Sequence, residues 1–189
     1  MRTKSVLFTI ITILFIHLQA MAQNSIKQDN KSGRILVAYF SATGTTAEAA
    51  EKLAQVVGGE LYAITPVKAY TNADLDWHDK QSRSSVEMND PKSRPAIKNK
   101  KENMSGYDVV FIGYPIWWNL APRIVDTFIE SHDLKGKTVI PFATSGSSGI
   151  ANSAAALKRS YPDLNWKAGK LLNRMDGDDI RKWIDESGY

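Results

Sequence analysis

The chain is 189 residues long, 43% hydrophobic, 10% aromatic and 23% charged, with no cysteine. That balance supports one globular domain and excludes a disordered chain, while the missing thiols exclude disulfide scaffolds, zinc ribbons, iron–sulfur clusters and cysteine nucleophiles. The formal charge of +4 is diluted along the sequence without a basic stripe, so no nucleic-acid partner is expected.

Residues 1–22 read as a secretory signal peptide. Met1-Arg2-Thr3-Lys4 is a short basic start, Val6 to Leu18 an apolar stretch, and Ala20-Met21-Ala22 a small-x-small cleavage site. The apolar run, about 13 residues, falls short of the roughly 18–20 that span a bilayer. The expectation is therefore an exported protein, periplasmic or secreted, with no stable membrane anchor after cleavage. Loss of Arg2 and Lys4 takes the 24 basic residues to 22 against 20 acidic ones. Only His78 and His132 remain in the mature chain, so a three-histidine metal site is excluded. Residues 23–33 are polar and read as a flexible mature N-terminus.

From there strand and helix signals alternate. Ile35 to Phe40 is an unbroken apolar run, as in a parallel strand buried on both faces. From Thr45 the period changes: Ala47, Ala50, Leu53, Ala54 and Val57 trace a helix stopped by Gly58-Gly59. Leu61 to Ile64 is a second strand, closed by Pro66. A long polar insertion follows at about 66–106, with a helix expected over Asn72–Met88 and the remainder running over the surface. Val109 to Gly113 is a strand. A helix begins near Pro122 with Ile124, Val125, Phe128 and Ile129 on one face. Thr138 to Ala143 is a strand, Ile150, Ala154, Leu157 and Tyr161 mark a helix, and Trp166 to Leu172 is a last strand. Asp176 caps the final helix, with Asp179 at its N3 position and Ile180, Trp183 and Ile184 facing inward. This βα rhythm implies an α/β three-layer sandwich over residues 34–189. Its five-stranded parallel sheet would have order 2-1-3-4-5, with helices on both faces.

In such sheets ligands bind beyond the carboxyl ends of the strands, near the switch between strands 1 and 3. The loop there is Ser41-Ala42-Thr43-Gly44-Thr45-Thr46, which offers hydroxyls around a glycine at a helix start. Neutral donors converging on the positive end of a helix suit a phosphate dianion without any lysine. No P-loop and no G-x-G-x-x-G competes with it. The second loop, Gly113-Tyr114-Pro115-Ile116-Trp117-Trp118-Asn119-Leu120-Ala121-Pro122, places a tyrosine and two indoles just past a strand, where a flat ring can stack. The third, Thr144-Ser145-Gly146-Ser147-Ser148-Gly149, is small and polar, so its backbone can approach a ligand closely.

Together, and in this order, these three segments resemble the flavodoxin family, in the branch whose second loop reads Gly-Tyr-Pro-Ile-Trp-Trp. The likeness covers about residues 34–187. It implies a flavodoxin-like fold and non-covalent FMN. Ser41, Thr43, Gly44, Thr45 and Thr46 would hold the phosphate, and Pro115, Ile116, Trp117, Trp118 and Asn119 would border the isoalloxazine. Thr144, Ser145, Gly146, Ser147 and Gly149 would close the other side. Either indole can stack, with Trp117 preferred. The implied function is electron transfer with an unidentified redox partner. The alternative is an FMN-dependent oxidoreductase reducing a small acceptor such as a quinone. A third reading is a serine hydrolase using Ser145, Ser147 or Ser148 with His78 or His132, although the chain has no G-x-S-x-G elbow. His78, with Asp76 and Trp77, is expected at the surface, and His132 at the negative end of a helix.

Overall fold

A computed structural model describes residues 34–188. The signal peptide expected at 1–22 and the polar stretch 23–33 lie outside the described residues. Strand β1 (Ile35–Tyr39) is central, flanked by β2 (Glu60–Ala63) and β3 (Val109–Pro115); β4 (Thr138–Thr144) and β5 (Asn165–Trp166) continue the sheet. The order is β2-β1-β3-β4-β5, every pairing is parallel, and a sixth short strand, β6 (Lys170–Leu171), also pairs with β4. This is the three-layer α/β architecture that the βα rhythm implies, and it agrees with the flavodoxin-like fold that the resemblance implies.

The two sheet faces are packed by alternate residues of the same strands. Ile35, Val37, Val109, Phe111, Ile140 and Phe142 point to one face. There they meet Ala49, Ala50 and Leu53 of helix α1 (Thr45–Val57) and, from the C-terminal helix Gly177–Ser187, Ile180 and Trp183. Leu36, Ala38, Val110, Ile112 and Tyr114 point to the other. That face is covered by Ile124, Val125 and Phe128 of Arg123–Ser131 and by Leu157 of Ala151–Ser160. Apolar runs buried on both sides are what a parallel sheet requires. The C-terminal helix starts at Asp176, whose carboxylate accepts from the Asp178 and Asp179 amides.

Three expectations are corrected. The last strand is not one piece. Val139 pairs with Trp166 and Phe142 with Lys170, so the outer strand carries one residue more than β4 between those rungs. The bulge sits opposite Pro141, which has no N–H for the ladder. It runs so close that a Cβ on Gly169 would stand 2.7 Å from the Pro141 carbonyl. The single helix expected over Asn72–Met88 is a 3-10 turn at Ala73–Leu75 and a separate helix, α2 (Arg83–Asn89). Between them Asp76 accepts from the His78 amide and Asp79 from the Gln81 amide. These side-chain turns compete with helical pairing, and Ser82 then starts α2 by accepting from Ser85 N–H.

The remainder of the insertion is not a loose surface loop. Its neck is closed by a Pro66–Ile97 bridge, with Val67 N–H on Ala96 O and Lys98 N–H on Thr65 O. Arg94 makes a two-pronged contact, 2.8 Å on each side, with Glu130 of the helix α3 (Arg123–Ser131). Helix α4 (Ala151–Ser160) and helix α5 (Gly177–Ser187) complete the set. Among the described residues no helix is long and apolar enough to cross a membrane.

Candidate functional site

Register brings the three loops to one edge. Tyr39 is level with Gly113, Gly113 with Phe142, and Pro115 with Thr144, so β1, β3 and β4 end together. Gly113 is held to a hydrogen side chain by this packing: a Cβ would sit under 3.0 Å from three ring carbons of Phe142.

The first loop follows β1. Ser41 Oγ accepts the Gly44 N–H at 3.1 Å, and Gly44 turns the chain at φ 97, a conformation that favours glycine. Helix α1 then begins with no side chain capping it. Its first amides and the hydroxyls of Ser41, Thr43 and Thr45 are therefore free to meet an anion at the positive helix end. Thr46 turns inward instead. Its hydroxyl lies 2.7 Å from that of Thr144, and both residues are buried. This contact ties the first loop to the third. On the β2 side, Tyr39, Ser41, Gly44 and Ala47 share a cleft of about 220 Å³ with Ala63, Ile64, Thr65 and Pro66.

The second loop is shaped by its backbone. Ile116 N–H donates to Thr144 O at 2.9 Å, and Trp117 and Leu120 exchange amide–carbonyl bonds at 3.0 and 2.9 Å. Between them Trp118 and Asn119 both lie in the left-handed region, at φ 46 and 61. Two such residues make a type I′ turn. Asparagine suits it, whereas tryptophan there costs roughly 1–2 kcal/mol. Backbone strain of this kind concentrates at ligand sites. Asn152 of α4 braces the turn by donating to Asn119 O at 3.0 Å. Pro115, Ile116 and Trp117 are half-buried and Trp118 is exposed. Tyr114, expected in the loop, belongs to β3 and is wholly buried. Its hydroxyl faces Ser153 Oγ at 3.2 Å, and burial pushes its pKa up to about 12. It is a core residue.

The third loop hangs on one asparagine outside the sequence motifs. Ser145 N–H donates to Asn173 Oδ1 at 2.8 Å, and Asn173 Nδ2 donates back to Ser145 O. Ser145 Oγ accepts from the Ser147 and Ser148 amides. Gly146, Ser147 and Gly149 stay exposed. The signal for Asn173 was weak because it lies 28 residues downstream, beyond β6.

Neither histidine serves these serines. His132 Nε2 accepts the Lys101 amide at 2.8 Å, so Nδ1 carries the proton and donates to Phe128 O at 2.7 Å. Burial holds its pKa below the usual range, so the ring closes the end of α3 as a neutral hydrogen-bonding group rather than a cation. His78 lies at the surface, 3.4 Å from Asp76 and stacked on Trp77. Among the described residues no hydrolytic triad is assembled. Among the described residues no group of His, Asp or Glu is arranged to hold a metal ion.

The donor set fits the group that the sequence implied. Uncharged hydroxyls and free amides at the start of α1 suit a phosphate, and the exposed indole of Trp118 suits a flat ring. Comparison with known proteins bears on this reading. The family model described as flavodoxin matches residues 34–187. A putative flavoprotein from Bacteroides eggerthii is 71% identical, with a TM-score of 0.82 over 82% of this chain and 98% of that one. A putative flavoprotein from Bacteroides uniformis is 60% identical, with a TM-score of 0.80 over 82% and 99%. A Lactobacillus acidophilus flavoprotein solved in complex with FMN shares the fold at 18% identity, with a TM-score of 0.66 over 84% and 100%. No curated protein matches.

Proposed function

The chain belongs to the flavodoxin family, and from that membership we propose that it is an exported protein that binds FMN non-covalently and acts in electron transfer. The observation that carries this reading is the convergence of three loops on one sheet edge, next to a helix start that no side chain caps. Ser41, Thr43, Gly44 and Thr45 hold the phosphate through hydroxyls and amides, and Thr46, whose hydroxyl is turned to Thr144, through its amide alone. Pro115 to Asn119 form one wall for the ring, and Thr144, Ser145, Gly146, Ser147 and Gly149 the other. The FMN complex of the Lactobacillus acidophilus relative, on the same fold, supports the choice of cofactor.

Bound FMN supplies the redox chemistry, and the protein supplies binding, orientation and electrostatics. Here the backbone does most of that work. The I′ turn fixes where Trp118 stands, and Asn173 fixes the Ser145 peptide. The mature chain's near-neutral balance, 22 basic against 20 acidic residues, lacks the single-sign field that steers protein partners together. This favours a second reading, reduction of a small acceptor such as a quinone. Titration of the purified protein with FMN, followed by flavin absorbance and fluorescence, tests the first claim. Saturable uptake of one FMN per chain is expected; a protein that takes up none refutes it. Turnover of a soluble quinone by the loaded protein, with a donor but no protein partner, separates the two readings.

A further inference from the structure

Behind the second loop, rings from three distant segments meet. Phe40, where β1 runs into Ser41, packs edge to face on Trp117 at 5.6 Å and 87°. Tyr70, from the insertion, lies 5.6 Å from Phe40 and meets Trp117 edge to face at 5.5 Å and 78°. Phe40 is fully buried, so the triangle is anchored in the core. One corner leads into the phosphate loop, one opens the I′ turn, and the third belongs to the long insertion between β2 and β3.

Tyr70 is itself held from behind by α2. Its hydroxyl donates to Glu87. The Arg83 guanidinium lies 3.9 Å from the ring centroid, its Nε bonds Glu87 Oε1 at 2.6 Å and its Nη1 bonds Lys68 O at 2.7 Å. The two charged side chains are only 19% and 12% exposed, so water screens the pair less than it screens one at the surface. Burial first, then Glu87, raises the Tyr70 pKa, which keeps the phenol a donor. Trp117 is thus gripped by two rings, one of them locked by an ion pair. Its neighbour Trp118, 47% exposed, has no ring packed against it among the described residues.

We propose that the insertion clamps the flavin-facing loop: Tyr70, fixed by Arg83 and Glu87, pins Trp117 as an anchor, so that Trp118 is the indole presented to the isoalloxazine. This rests on the FMN reading above and reverses the preference for Trp117 drawn from sequence. Tyr70 is a positioning residue, acting through Trp117. Edge-to-face ring contacts have directional preferences, so losing the Tyr70 ring frees the Trp117 side chain to rotate and takes the turn with it.

The test compares FMN affinity and the residual fluorescence of bound flavin, which a stacked indole quenches. Tyr70→Leu is expected to raise the FMN Kd about tenfold and to restore part of the fluorescence, whereas Tyr70→Phe keeps the ring and stays within about twofold of wild type. Trp118→Leu restores most of the fluorescence, and adding Trp117→Leu to Tyr70→Leu changes little further, because the two act on one contact. Should Tyr70→Leu fail to fold, Arg83→Met combined with Glu87→Leu loosens Tyr70 without stranding a buried charge, with an expected Kd rise of about threefold. The clamp is overturned if wild type binds FMN and the folded loosened variant binds and quenches like it. It is also overturned if Tyr70→Phe falls as far as Tyr70→Leu, or if Trp118→Leu leaves quenching intact. A wild type that takes up no FMN overturns the functional reading itself, whatever Tyr70 does.

Discussion

Removing the hydroxyl of Thr46 tests how the first and third loops are joined. Thr46 and Thr144 are 1% and 4% exposed and their hydroxyls stand 2.7 Å apart, away from water. In Thr46→Val the Thr144 oxygen stays buried and loses its partner, a cost of about 1–3 kcal/mol. Thr144→Val strands the Thr46 oxygen at a similar cost. For a domain of roughly 150 residues each kcal/mol lowers Tm by about 2–4 °C. The double variant removes both polar atoms and keeps the shape, so it loses only the net worth of the bond, about 0.5–1.5 kcal/mol. Thermal melts of the two single variants and the double, recorded without FMN so that ligand binding does not shift Tm, therefore show a double less damaged than the sum of the singles. Strictly additive losses would refute the coupling, as would single variants that melt like wild type.

Two further outcomes follow from packing and charge. Gly113→Ala drives a methyl group into the Phe142 ring at the centre of the sheet. The expected loss is about 1–3 kcal/mol or more in a denaturant titration, and an undisturbed midpoint would contradict the described packing. Tyr161 has one phenolic proton but faces two carboxylates, Asp126 at 2.9 Å and Glu130 at 2.8 Å. Arg94 holds Glu130 as an anion, with its pKa lowered, while burial outweighs Arg94, Arg123 and Tyr161 and raises that of Asp126. A raised acid contributes its stability below the ordinary aspartate range and loses it as pH climbs through the folded-state value. Asp126→Asn is therefore expected to gain in Tm on wild type as pH climbs above the ordinary aspartate range, each unit of upward shift counting for about 1.4 kcal/mol. A gap that is constant or shrinks with pH would oppose this.

Much of the fold was legible because its signals are local. The apolar run at Ile35, the Gly58 stop and the Asp176 cap each act over a few residues, and each element formed where those signals place it. The site was half legible for the same reason. Hydroxyls around Gly44 and the paired indoles are contiguous in sequence, but what holds them comes from afar: Thr144 for Thr46, Asn152 for Asn119 and Asn173 for Ser145. Tyr114 was readable in principle, since Val110, Ile112 and Tyr114 share a face by simple alternation. Tyr70 was not, because the insertion has no period to follow. The break at Pro141 depends on which residue ends up opposite it, which no window along the chain contains.

The bond from Asn173 to Ser145 has a consequence for biogenesis. The third wall of the cleft receives its peg from a residue made 28 positions after the serine it holds. A nascent polypeptide halted after Trp166 would already carry all three loops, yet the Ser145 peptide would have nothing to hang on. The cleft is therefore completed only once Asn173 has been made, well after the loops it closes.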